Sequence, residues 1–337
     1  MKTRLDYIDV LKGVSILCIT FLHYEEGTIP SWLNVWIGMF MITAFYFTSG
    51  WITGITRKEI STQELIKKRW KSLGLPYIYF SILIFCFDLV WFACGQYDMK
   101  FLLQEIYKTL TLRGIGTLWF LPALFGGEII FRWLLNSKKL WLWLLCLIIT
   151  LTYVHYYNTI WLHDYRNISS FYQIIDAFFR TIKNILFAWP VIAIAYYISF
   201  NFLEKLTQMN QFAVFGIGAL ITTLSILING GFLQINLAFF SPLFNPIIGP
   251  LGLLILFMPI SKGSISKIFS YWGRNSLVLM VTHYSITMVL CKYICEKVLE
   301  MPFSGASSNY FFIVTVLLTY PLVWLFDNKL SFMLGKK

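Results

Sequence analysis

Charged side chains are scarce in this chain: Asp, Glu, Lys and Arg make up 13% of its 337 residues. Soluble domains carry about a quarter, so a water-facing surface of ordinary extent cannot be built from so few. Internal repeats, low-complexity tracts and polar linkers are also missing, and a single domain over residues 1–337 is expected. No Walker loop, Rossmann glycine fingerprint, nucleophile elbow or metal-ligand cluster is present. "GIGTLWF" contains glycines but lacks the strand–loop–helix setting a phosphate loop needs, and no metal is expected. The cysteines offer neither zinc spacing nor a disulfide framework. Cys18, Cys86, Cys146, Cys291 and Cys295 lie inside apolar segments and Cys94 at a segment end, where thiols act as small hydrophobes. No small-residue cleavage site follows the first apolar run, so that run reads as a span and not as a signal peptide.

What the chain does have is apolar sequence: 58% of its residues are hydrophobic and 19% aromatic. Runs of about twenty apolar residues recur from end to end, which excludes a pair of soluble domains. Ten spans are expected, roughly at 8–24, 33–55, 77–95, 117–135, 140–155, 174–199, 212–230, 243–260, 275–295 and 309–327. The fold class is an all-α polytopic membrane protein, with membrane lipids as its surroundings.

The net charge of +11 would suit nucleic acid, but the basic residues sit in short loops between spans, where they set topology. Nucleic acid is not an expected partner. Eighteen Lys and Arg, from Lys2 and Arg4 to Lys337, fall on one side and eight on the other, with Lys12 inside the first span. The positive-inside rule then places both termini in the cytoplasm. Two outer connections are long. Residues 97–116 include "DMKFLLQEIYKTL", apolar at helical spacing, as for a helix lying in the interface. Residues 155–173, "HYYNTIWLHDYRNISSFYQ", suit an aromatic belt at the headgroups or a surface for sugar. Asn167-Ile168-Ser169 within them matches a glycosylation sequon, a chance match unless the host glycosylates proteins.

Ionisable groups inside a span are expensive and raise functional hypotheses. In "LKGVSILCITFLHYEE", Lys12 and His23 are eleven residues apart, so they share a helix face about 16 Å apart along the axis. Asp9 falls on the same side, and Glu25 and Glu26 follow the histidine. The stripe is open to two readings: a functional path, or Lys12 snorkelling to the headgroups with His23 marking the outer interface. Glu128 and Arg132 form an i,i+4 pair. Asp176, Arg180 and Lys183 line one face of the sixth span, as a salt-bridged stripe or a vestibule. His283 lies near mid-depth in the ninth, as an interhelical hydrogen-bonding residue or a chemical one.

Five segments in order resemble acyltransferase family 3, the integral membrane O-acyltransferases of cell-surface sugars and lipids. They are "YIDVLKGVSILCITFLHY", "AFYFTSGWITG" (44–54), "LIKKRWKSLGLPY" (65–77), "GTLWFLPALF" (116–125) and "WGRNSLVLMVTHY" (272–284). Lys12 and His23 keep that family's interval between a first-span basic residue and a histidine. Lys12 stands where the family often has arginine. In the basic loop Arg69 is kept, while Ser72 occupies the place of a second arginine.

The resemblance implies an acyl-CoA donor from the cytoplasm, acetyl-CoA in the usual case, and a saccharide or lipid-linked saccharide hydroxyl as acceptor outside. It also implies the plasma membrane of a bacterium. His23 is then the candidate general base, since neutral imidazole accepts a proton near pH 7, with Glu26 or Glu25 to orient it. Asp9, Lys12, Lys68, Arg69, Lys71 and Ser72 are the candidate acyl-CoA contacts. The basic loop is equally the topology signal any membrane protein carries. Trp119, Asn275 and His283 are candidates for the acceptor or the oxyanion. A transporter of a small molecule or glycan is the competing reading, in which the same intramembrane charges line a pathway. A homo-oligomer is compatible with either.

Overall fold

A computed structural model describes residues 5–336, apart from Asn167, residues 234–240 and Ala306. Lys2, Arg4 and Lys337, used in the charge count, and Asn167 of the sequon lie outside the described residues. The described chain is helical and contains no strand. It begins with α1 (Asp6–Leu22), α2 (Ser31–Phe40), α3 (Thr43–Thr56), α4 (Thr62–Arg69) and α5 (Leu75–Ala93). Next come α6 (Met99–Leu110), α7 (Phe120–Ser137), α8 (Leu140–Tyr156), α9 (Ser170–Gln208) and α10 (Gln211–Asn229). The last are α11 (Ser241–Ile260), α12 (Ser264–Arg274), α13 (Ser276–Thr282), α14 (Met288–Tyr293) and α15 (Ser308–Asn328).

Eight helical stretches among the described residues are long and apolar enough to cross a membrane: Ser31–Thr56, Thr62–Ala93, Leu140–Tyr165, Phe171–Gln208, Gln211–Asn229, Leu243–Ile260, Ser276–Val298 and Ser308–Asn328. They coincide with eight of the ten expected spans. The other two expected spans are also helices, α1 with 17 residues and α7 with 18. The chain is an all-α polytopic membrane protein.

Local chemistry sets several helix ends. Ser61 caps α4 by accepting from the Glu64 N–H (3.1 Å), in a Ser-x-x-Glu pattern. Asp98 caps α6 through the Phe101 N–H (2.7 Å), and Asn210 caps α10 through Phe212 (2.9 Å).

The helices group into two compact units, each assembled from separate stretches of chain. The first comprises Met1–Lys58, Val191–His283 and Thr287–Val323. Within it α1 packs along α12 with the two backbones in contact. A Cβ added to Gly13 would stand 1.8 Å from the Phe269 carbonyl oxygen, and one on Gly273 would stand 1.8 Å from that of Asp9. Only glycine permits that approach, the device by which membrane helices pack without a hydrophobic driving force. A core of Tyr24, Met288, Cys291, Cys295 and Phe311 closes the far end, where the Tyr24 and Thr315 hydroxyls are hydrogen-bonded at 2.5 Å. Cys291 and Cys295 are buried thiols, as their apolar setting predicts.

The second unit comprises Glu59–Pro190, Tyr284–Ile286 and Trp324–Lys337. Here α4 runs through a π-helical turn (Trp70–Gly74) into α5. The Tyr77 hydroxyl, near the start of α5, donates to the Thr109 carbonyl, near the end of α6, at 2.8 Å. The Cys94–Asp98 connection joins their other ends, so α6 doubles back antiparallel along α5. The interface helix expected over 97–116 is thus packed against a neighbour, with Leu102 and Glu105 buried. The rest of its apolar residues, Met99, Leu103, Ile106 and Leu110, stay exposed, as a helix lying in the interface would leave them.

Candidate functional site

In the first unit, His23 is the residue that ends α1, and its Nδ1 lies 2.6 Å from the Ile19 carbonyl oxygen one turn back. His283 opens a π-helical turn (His283–Thr287) after α13, and its Nδ1 lies 2.7 Å from the Leu279 carbonyl oxygen. A carbonyl only accepts, so both rings are assigned the Nδ1–H tautomer, which leaves Nε2 as the basic nitrogen of each. The two rings meet edge to face, with centroids 5.1 Å apart and planes at 65°. His283 is fully buried, and its Nε2 has no hydrogen-bond partner among the described residues. His23 is exposed. The pair therefore presents one accessible imidazole backed by one inaccessible imidazole.

Glu25, one of the two residues expected to orient His23, has hydrogen-bond partners in the turn that follows. The Glu25 carboxylate accepts from the Thr28 hydroxyl (3.3 Å), the Ile29 N–H (3.1 Å) and the Asn34 side-chain amide (2.7 Å). It staples the turn between α1 and α2. Partial burial pushes the Glu25 pKa up. The N–H groups of Ile29, Thr28 and Gly27 and the Thr28 hydroxyl outweigh that push, and the net pKa falls below the ordinary carboxylate value. Glu26 is exposed beside it.

At the opposite end of α1, Arg274 bridges two aspartates, with its guanidinium 3.2 Å from Asp6 and 3.5 Å from Asp9. Asp9 is buried and Lys12 half-buried one turn on. The segment from Arg274 through Asn275 to His283 thus runs beside α1, meeting Asp9 at one end and His23 at the other. The Asn275 amide donates to the Tyr271 carbonyl (3.0 Å) at the end of α12.

In the second unit Arg69 forms a two-pronged pair with the buried carboxylate of Glu128, one contact being 2.7 Å from NH2 to Oε1 and the other from Nε to Oε2. Lys68 and Lys71 beside it are exposed, and Ser72 is half-buried. Trp119, half-buried at the start of α7, packs edge to face on Phe120. Two further carboxylates are buried in this unit. Asp88 lies in the most apolar stretch of α5. Glu105 on α6 holds Lys108 at 2.6 Å. An ionisable residue at position 88 of a span was itself the signal. Among the described residues no three His, Cys, Asp or Glu side chains stand together as a metal site.

A known family, described as an acyltransferase domain, matches residues 5–327, nearly the whole chain. No curated protein and no solved structure matches.

Proposed function

The chain belongs to acyltransferase family 3 and is a membrane acyltransferase, and from that premise we propose that it moves an acyl group from acyl-CoA to a hydroxyl of a saccharide or lipid-linked saccharide. The observation that carries the reading is the His23 imidazole, exposed at the end of α1 with its Nδ1 committed to Ile19. That hydrogen bond holds the tautomer whose Nε2 accepts a proton. The acceptor O–H gives its proton to His23 Nε2 as the oxygen attacks the thioester carbonyl. The C–O bond forms, the C–S bond breaks, and the departing CoA thiolate takes the proton back from the imidazolium.

His283 supports this base by packing. Its Nδ1–H is donated to Leu279 and its Nε2 offers only a lone pair, so it is a positioning residue for the His23 ring and not the oxyanion donor. The donor's phosphates are met by the exposed ammonium groups of Lys68 and Lys71 as point charges, with the Arg69 fork already closed on Glu128. Acetyl is the acyl group the family resemblance favours, and the bacterial plasma membrane the location.

The test is transfer of label from radioactive acetyl-CoA into base-labile esters of the cell envelope, in membranes carrying wild type or His23→Ala at equal protein. Loss of about a hundredfold or more is expected for a general base. Undiminished transfer by the variant would remove His23 from the mechanism. A transporter would consume no acetyl-CoA in either membrane.

A further inference from the structure

The second unit gathers three arginines round one carboxylate. Asp176, near the start of α9, is 1% exposed, and its Oδ1 accepts from the Tyr157 hydroxyl (2.9 Å) and the Trp161 indole N–H (3.0 Å). Its Oδ2 faces Arg166 at 3.4 Å, Arg180 at 3.5 Å and Arg113 at 3.9 Å. Lys183 adds a fourth cation, its ammonium 5.5 Å above the Tyr157 ring. Asp164, the other acidic residue between 155 and 183, is exposed, and among the described residues it forms no ion pair with them. Four cations thus share one anion.

The arginines are held in place from several directions. The Thr181 hydroxyl donates to the Thr111 carbonyl (3.2 Å) and the Tyr107 hydroxyl to that of Ile174, which pin the loop carrying Arg113 onto α9. Arg180 Nε donates to the Tyr157 hydroxyl at 3.1 Å, and among the described residues that is the one hydrogen bond any of the three guanidiniums makes. Each fork carries five donors, more than Asp176 and Tyr157 can accept from. Burial, then the neighbouring Arg180, hold the Arg113 pKa below its ordinary value, with Asp176 opposing and Arg166 adding to the depression. All three side chains remain about a third exposed, which leaves the cluster reachable.

Beside the charges lies an aromatic surface. Trp161 and Tyr165 stack at 6.0 Å with planes 18° apart, and Tyr172 stands 6.2 Å from Tyr165. Tyr165 is exposed. A flat, partly exposed aromatic face next to a cluster of planar cations fits a ring with C–H faces that carries a compact polyanion. The charge surplus matches phosphate better than a single carboxylate, because a phosphate monoester brings up to two negative charges and three acceptor oxygens to the forks.

We propose that Arg113, Arg166 and Arg180, gathered round Asp176, form a binding site for the phosphate of a phosphate-bearing saccharide acceptor, with the exposed Tyr165 ring, backed by Trp161, taking its sugar ring. The choice of acceptor rests on the acyltransferase reading above; the anion site itself does not. Phosphate also occurs on lipid headgroups, and the experiment separates the two sources.

Purified protein in nanodiscs of phosphatidylcholine is dialysed to equilibrium against radiolabelled glucose 1-phosphate, with methyl glucoside and inorganic phosphate as competitors. Glucose 1-phosphate is expected to bind, to lose affinity as salt is raised, and to be displaced only weakly by either competitor. The Arg113→Gln/Arg166→Gln double variant is expected to bind at least tenfold more weakly, and the two single variants guard against misfolding, each with an intermediate loss. Absent binding to wild type, or equal binding by all variants, overturns the site. Displacement by inorganic phosphate as effective as by the sugar phosphate overturns its saccharide part. Abolition of binding when phosphatidylglycerol replaces part of the nanodisc lipid assigns the site to headgroups and overturns the acceptor assignment. Acyl transfer is not measured, so a failed reaction leaves this outcome intact.

Discussion

His23 and His283 stand edge to face at 5.1 Å, each with its Nδ1 on the carbonyl four residues back in its own helix. One ring is exposed and the other is buried. If the buried ring acts through packing, its shape matters more than its nitrogens. His283→Ala is then expected to cut the acyl-transfer rate about tenfold or more with little change in KM for acyl-CoA, because a small misplacement of a base is costly. His283→Phe keeps an aromatic edge against His23 and is expected to recover most of the rate. Initial rates of both variants, measured across pH, check this. A Phe variant as inactive as His23→Ala would give His283 a role in proton transfer.

Arg69 and Glu128 lie 59 residues apart in the chain and meet as fork and carboxylate. Removing the arginine takes one partner from a buried carboxylate, so stability is expected to fall. Arg69→Ala is expected to melt well below wild type in detergent, and Arg69→Ala/Glu128→Ala to regain much of the difference. A double variant whose loss equals the sum of the singles would show the two side chains to be uncoupled.

Glu25 makes its contribution through the turn it staples. Its folded pKa is lowered, so that contribution is complete above the ordinary carboxylate range and fades as pH falls through the lowered value. Thermal melts of wild type and Glu25→Gln at several pH values should differ near neutrality and converge in acid. Acyl transfer by Glu25→Gln is expected to stay near wild type. A gap that widens in acid would contradict the assignment.

The sequence displayed what is periodic. Lys12 and His23 share a face because eleven residues make about three turns, and the helices stand where the apolar runs are. Pairings across the chain left no such trace. Glu128 has Arg132 at helical spacing, yet a fork comes from Arg69, which no local period connects to it. Arg274 was visible only as part of a motif, and its partners Asp6 and Asp9 follow from the glycine contact that brings α12 to α1. Asp88 leaves little trace, because the apolar stretch around it dominates any averaged hydropathy. The Asp176 cluster draws on three separate stretches of chain, of which only the Asp176–Arg180–Lys183 face lies in one helix.

The contact between Gly13 and Gly273 also limits how the first unit can move. With Cβ-free positions facing carbonyl oxygens on both sides, α1 and α12 interlock like a notched joint. A slide of less than a helical turn would drive a neighbouring side chain into the opposing backbone, since membrane helices that touch at glycines have no slack there. Any motion that opens the His23 end must therefore be a hinge or a joint displacement of α1 together with α12, carrying the Arg274 ion pairs along with it.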